Sequence, residues 1–164
     1  MAHTSSKSAA RKAAPAAAVK SVVQHAIALG TPVLTLDGEM PVEFLSPGDR
    51  IITRTGVCRL VAVEVRVVQN ARVIRIGQGM LGHERPEIDM IVSPDQPILI
   101  RDWRAQAMYG AALAMIPAAR LADGEYIRDE VLDEVRLYSL HLADDAVIYA
   151  NGLELACAKS TIIA

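Results

Sequence analysis

The chain has 164 residues, which is enough for one domain with a buried core. Hydrophobic residues make up 52% of it and charged residues 22%, which is typical of a folded globular protein. A net charge of −2 and an aromatic content of 4% give no reason to expect nucleic-acid binding. No apolar run of about 20 residues predicts a transmembrane helix, and no leucine-rich core predicts a signal peptide. Two locations are compatible with the sequence: the cytoplasm, or the outside of the cell after export by a non-classical route.

Charge divides the chain into a basic N-terminal part and an acidic remainder. Residues 1–36 hold four basic residues and no acidic one, whereas the rest holds 13 basic and 19 acidic residues. We predict a flexible basic arm over residues 1–20, a β domain over residues 21–158 and a tail over residues 159–164. A short helix is expected from Ala16 to Leu29. The arm is interpreted as a linker, and its folding onto the acidic body is the alternative.

From Thr31 onward, short alternating segments are separated by turn residues, a pattern typical of β-strands. Turns are predicted at Asp37-Gly38, at Ser46-Pro47-Gly48 and at Asn151-Gly152. Strands are predicted over residues 32–36, 50–54, 57–68, 72–76, 89–92, 97–101, 126–128, 131–142 and 146–150 and in the closing segment NGLELACA. One helical insert is expected over residues 103–115, because this stretch lacks alternation and ends before Pro117. The sequence therefore predicts an all-β barrel or sandwich with one helical insert.

Four stretches, taken in order, resemble the bacterial Hint family, the hedgehog and intein type of self-processing domain. They are GTPVLTLDGEMPVEFLSPGDRIITR (30–54), IVSPDQPILI (91–100), IPAARLADG (116–124) and YSLHLADDAVIYANGLELACA (138–158). The run PVEFLSPGD is the most specific part, and the order and spacing of the others add to it. The resemblance implies an all-β horseshoe of short, bent strands with pseudo-twofold symmetry. It also implies an autoproteolytic acyl shift that uses no cofactor and no metal.

The resemblance implies roles for five positions, and three of them carry unsuitable side chains. The nucleophile position, four residues before the Gly-Thr pair, is Ala26, which cannot attack a carbonyl. The second stretch supplies Ser93, which can hydrogen-bond, and Gln96 at a histidine position, where an amide cannot exchange a proton. The closing stretch has Asp145 where many relatives carry histidine. Cys157 belongs to the same stretch and is a weaker site candidate.

The environments of His25 and of the two cysteines each have two interpretations. His25 is either a site residue beside the lost nucleophile position or a solvent-facing residue of the short helix. Cys58 and Cys157 are too few for a disulfide scaffold, so they are either buried thiols or one bridge. Ala26 and Gln96 are interpreted as natural divergence, because engineering, which is the alternative, explains Asp145 less well.

We therefore expect a Hint-type fold that has lost self-cleavage and is retained as a folding, display or protein-interaction module. Its partner would be its own flanking chain or another protein, with no nucleic acid and no membrane span. The first alternative is an active processing domain with an unusual nucleophile, Ser93, Cys157 or a residue reached by a shifted alignment. The second is a structural domain of an exported bacterial protein.

Overall fold

A computed structural model describes residues 25–160. Within this range eleven strands form one sheet system, and every strand pair in it is antiparallel. The strands are β1 (Ile27–Ala28), β2 (Pro32–Thr35), β3 (Gly38–Pro41), β4 (Arg50–Thr53), β5 (Gly56–Ile76), β6 (Met90–Val92), β7 (Pro97–Ile100), β8 (Ala114–Pro117), β9 (Ile127–Leu142), β10 (Ala146–Ala150) and β11 (Leu153–Cys157). One helix, α1 (Trp103–Tyr109), interrupts them, and 3-10 turns occupy Val42–Phe44 and Ala118–Leu121. The all-β prediction is confirmed.

The long strands β5 and β9 form the spine of the fold, because they pair from Ala62 opposite His141 to Ile76 opposite Ile127. The short strand β1 lies between β9 and β6, and β6 also pairs with the end of β5. These four strands therefore pair in a ring, which leaves their backbone groups few open edges. The ring fixes the position of the chain at residues 26–28.

The remaining strands follow in the order β4, β2, β10, β11, β7 and β8, with β3 paired to β2. The Asn151-Gly152 turn joins β10 to β11, with φ values of 48° and 76° at the two residues. The Asn151 amide also exchanges two hydrogen bonds with the backbone of Ile88. A Cβ on Gly152 would lie 2.2 Å from the carbonyl oxygen of Glu84, so the turn sequence also fixes the loop after β5.

The main core consists of aliphatic side chains from both halves of the sheet, with Ile51, Leu60, Ile74, Ile98, Ile116, Leu142 and Ile148 almost fully buried. A second, smaller apolar cluster lies beside β1 and consists of Ala26, Ala28, Ala71, Val73, Val135 and Leu137. Alternation along β1 explains the division, because Ile27 belongs to the main core while its two neighbours belong to the small cluster.

Three expected elements differ from the structure. The helix expected from Ala16 to Leu29 is wrong at its end, because residues 27–28 form β1, and residues 16–24 lie outside the described residues. The helical insert is shorter than expected: α1 ends at Tyr109, the following Gly110 has a left-handed φ of 65°, and residues 114–115 belong to β8. The separate strands expected near 57–68 and 72–76 are one continuous strand, as are those near 126–128 and 131–142. Among residues 25–160 no helix is long and apolar enough to cross a membrane.

Candidate functional site

The backbone of residue 26 is held by Ser93. The amide nitrogen of Ala26 donates to Ser93 Oγ at 3.1 Å, and the amide of Ser93 donates to the carbonyl oxygen of Ala26 at 3.0 Å. Both residues are buried, so these bonds satisfy groups that water does not reach. The methyl group of Ala26 packs in the small apolar cluster. The peptide bond between residues 25 and 26 is therefore fixed in place, but residue 26 carries no nucleophilic atom.

Gln96 is buried and lies three residues after Ser93. The backbone amide of Gln96 donates to the backbone carbonyl oxygen of Ser93 at 3.1 Å. Its side-chain nitrogen donates to the carbonyl oxygens of Pro97 and Ala156, each at 3.0 Å. A carboxamide nitrogen has two N–H donors, so both are used. In this arrangement Gln96 ties the second stretch to β11.

A cleft of about 430 Å³ opens beside this segment, between β4, β8, β10 and β11. Its apolar lining residues are Met115, Ala146, Val147, Ala156, Cys157 and Ala158. Its polar lining residues are His25, Arg54, Thr55 and Asp145. A much smaller void is also lined by His25 and Cys157, together with Gln96. Of the predicted positions, Asp145 and Cys157 thus line the cleft, and Gln96 lines the void together with Cys157. Ala26 and Ser93 line neither, although the preceding residue, His25, lines both.

His25 lines both the cleft and the void, so it is not the solvent-facing helix residue that we considered. Its Nδ1 atom is buried and has no hydrogen-bond partner among the described residues. Burial lowers the pKa of His25 below its ordinary value, and the negative charge of Asp95 partly opposes this shift. The lowered pKa favours the neutral form of the imidazole.

Asp145 and Cys157 lie on the same cleft but in contrasting environments. Asp145 is exposed, and its Oδ1 accepts a hydrogen bond from the amide of Lys159 at 2.6 Å. Cys157 is buried, and burial, with a smaller effect of Cys58, raises the pKa of its thiol to about 12. Both cysteines are free, so they do not form the bridge considered above. A thiol with this pKa is almost entirely protonated near neutral pH and is a poor nucleophile.

One buried carboxylate organises the rim of the cleft. Glu154 is 3% exposed and accepts hydrogen bonds from Arg54, at 2.7 Å, and from Arg101. Burial would raise the pKa of Glu154, but the hydrogen bonds from Arg101 and Arg54 outweigh it, so the pKa lies below its ordinary value. Glu154 thereby fixes Arg54 at the cleft. Among residues 25–160 no group of three or more His, Cys, Asp or Glu side chains could hold a metal ion.

A sequence profile of the Hint domain matches residues 25–158. The chain belongs to the Hint domain family. A search of curated protein sequences finds no match. Among solved structures, this Hint domain resembles a bacterial intein-like domain from Clostridium thermocellum, with a TM-score of 0.59, 17% identity and coverage of 81% of this chain and 98% of that one.

Two inteins are also similar to this Hint domain. For the gp41-1 intein the TM-score is 0.52 and the identity 17%, over 79% of this chain and 96% of that one. For the MchDnaB-1 intein the values are 0.51 and 15%, over 80% and 98%. At these identities the likeness shows the fold alone. Family and fold together make this chain a self-processing type of domain.

Three residues that line the cleft were not predicted from the sequence: Arg54, Thr55 and Met115. They lie on β8 or just after β4, and only the order of strands in the sheet brings them beside β10 and β11. The orientation of His25 could be predicted locally, because alternation along a strand places it on the same side of the chain as Ile27. We expected a helix at these residues, and a helix does not alternate in this way.

Proposed function

We propose that this Hint domain does not cleave its own backbone and is retained as a folded display or protein-interaction module. The observation that carries the proposal is the side chain at position 26. Ser93 holds the amide of residue 26 at 3.1 Å, where the family's reaction would begin, yet the side chain there is a buried methyl group. An acyl shift needs a hydroxyl or thiol at that position, so the reaction has no first step.

The surrounding groups support the same proposal. Both N–H donors of Gln96 are bound to carbonyl oxygens, and a carboxamide neither accepts nor releases a proton near neutral pH. Gln96 therefore cannot protonate the leaving amine, which is the task that general acid catalysis performs in peptide cleavage. At the other histidine position, Oδ1 of Asp145 accepts a hydrogen bond from the backbone of Lys159.

An alternative is a processing domain whose nucleophile is Cys157. The observation in its favour is that Cys157 and His25 line the same cleft, and a thiol beside an imidazole is a recurrent nucleophilic pair. The raised pKa of the Cys157 thiol argues against it, because the imidazole of His25 would have to remove a proton from a much weaker acid. This alternative predicts cleavage that disappears when Cys157 is replaced.

The test is a fusion of a folded reporter to the N-terminus of the full chain, incubated overnight with and without dithiothreitol. Denaturing gel electrophoresis then follows the fusion and its fragments. We expect one intact band under both conditions. Cleavage next to residue 26 would contradict the proposal, and its loss in the Cys157→Ala fusion would establish the alternative.

A further inference from the structure

The cleft has the properties of a small-molecule site. Its volume of about 430 Å³ lies within the range of roughly 300–1,000 Å³ that is usual for ligand pockets. Met115, Val147 and Ala156 are apolar residues of its lining, and a few polar groups line it as well. Such a combination favours a ligand with an apolar body and one polar group.

The polar groups that face the cleft indicate which polar group the ligand carries. Arg54 uses Nη1 to bind Glu154, and a guanidinium has five N–H donors, so donors remain for a ligand. His25 and Thr55 add further polar groups to the lining. The single acid of the lining, Asp145, already accepts the amide of Lys159.

Arg54 is the one arginine that lines the cleft, and Asp145 is the one acid. Glu154 is shared by Arg54 and Arg101, so it does not occupy all the N–H donors of Arg54. Arg54 is about one third exposed, so it is accessible from the cleft. A carboxylate can accept two parallel, charge-assisted hydrogen bonds from a guanidinium.

We propose that the cleft binds a small monocarboxylate with an apolar body, its carboxylate held by Arg54 and its chain packed on Met115, Val147 and Ala156. Glu154 acts as the positioning residue that keeps Arg54 at the rim. This inference goes beyond the absence of cleavage and does not depend on it, because binding requires neither a nucleophile nor a proton donor.

The test uses octanoate and 1-octanol as probes of equal chain length, titrated into the full chain by isothermal titration calorimetry. We expect octanoate to bind about tenfold more tightly than 1-octanol, since a hydrogen bond to a charged group contributes roughly this factor. Added salt should weaken the binding of octanoate and leave that of 1-octanol unchanged. These two measurements need no variant.

Two variants then locate the site. Arg54→Gln should lower octanoate affinity about tenfold and leave 1-octanol affinity unchanged. Ala158→Trp adds a ring at an exposed lining position and should abolish binding of both probes while the melting temperature stays unchanged. The proposal is overturned if octanoate fails to bind, binds no better than 1-octanol, or binds Ala158→Trp as it binds the original chain. None of these readouts reports on cleavage.

Discussion

The backbone around residue 26 and the side chains around the cleft differ in how much of a processing site they retain. Around residue 26 the ring of β1, β6, β9 and β5 fixes the chain, and Ser93 binds the amide on the side where a bond would be cleaved. Around the cleft, Gln96 binds two carbonyl oxygens and Cys157 is a protonated thiol. The amide of residue 26 is held in place, whereas Ala26 has no nucleophilic atom and Gln96 has no group that exchanges a proton.

This difference separates two properties that the fold supplies independently. The position of an amide follows from strand register, which depends on many aliphatic side chains and tolerates single substitutions. The cleavage reaction depends on single atoms at a few positions, so one substitution can abolish the reaction. Four predictions test this separation, beginning with the largest expected effect.

Restoring both missing groups should restore cleavage. In the reporter fusion, Ala26→Cys with Gln96→His should cleave at the bond before residue 26 at least about a hundredfold faster than Ala26→Cys alone, since general acid catalysis contributes roughly this factor or more. Gln96→His alone is the control and should stay intact. A folded double variant that remains intact would show that positions 26 and 96 are not the sites of the chemistry.

The thiol of Cys157 should be nearly inert in the folded chain. In Cys58→Ser, iodoacetamide should modify Cys157 at least about a hundredfold more slowly than in the denatured chain, because the raised pKa and burial suppress thiolate attack. Mass spectrometry measures the modification. The control is Cys157→Ser, in which the half-buried Cys58 should react faster. Similar rates for the two cysteines would contradict the inert environment assigned to Cys157.

The charge of Glu154 should stabilise the fold in a pH-dependent way. Glu154→Gln should lower the free energy of unfolding by about 2 kcal/mol near neutral pH, because it leaves two partly exposed arginines without their carboxylate. The folded pKa is below the ordinary value, so this stabilisation is present above a pH of about 4.3 and is lost as the pH falls through the folded pKa.

The measurement is urea unfolding of the original chain and of Glu154→Gln over a series of pH values. The control is Glu130→Gln on β9, where a more exposed carboxylate pairs with Arg75 and Arg128 and the expected loss is below about 1 kcal/mol. Equal losses in the two variants at neutral pH would argue against a special role of Glu154 at the rim.

The smallest expected effect concerns the hydrogen bond to residue 26. Ser93→Ala should cost about 1 kcal/mol of unfolding free energy, because it removes the acceptor of a buried amide. The matched control is Ser139→Ala on β9, since the buried hydroxyl of Ser139 has no hydrogen-bond partner among the described residues. We expect Ser139→Ala to be neutral or slightly stabilising. A larger cost for Ser139→Ala than for Ser93→Ala would contradict this account of the bond.

Local signals in the sequence predict the turns well and the extent of the strands less well. Gly38, Gly48 and Gly152 all have positive φ, as the turn predictions require, because such turns depend on a few neighbouring residues. Asn70 also has a positive φ of 47°, yet β5 continues through it, because its pairing with β9 extends on both sides. Pairing across the sheet overrides the local preference.

The site illustrates the same limit. The positions 26, 93, 96, 145 and 157 follow from a resemblance that spans most of the chain. The structure pairs Ala26 with Ser93, places Gln96 beside Cys157 at the void, and places Asp145 and Cys157 on the cleft. Arg54 and Met115 join them only through the sheet order, and the ion pair between Arg54 and Glu154 links residues 100 positions apart. No short pattern in the sequence encodes such an arrangement.

The most direct test of the central claim is the mass of the purified full chain after prolonged incubation with a thiol. The account predicts a single species at 17.6 kDa, the mass of all 164 residues, with or without the thiol. A fragment that begins at residue 26 would contradict it, because that product requires cleavage of the bond that Ala26 is proposed to leave intact.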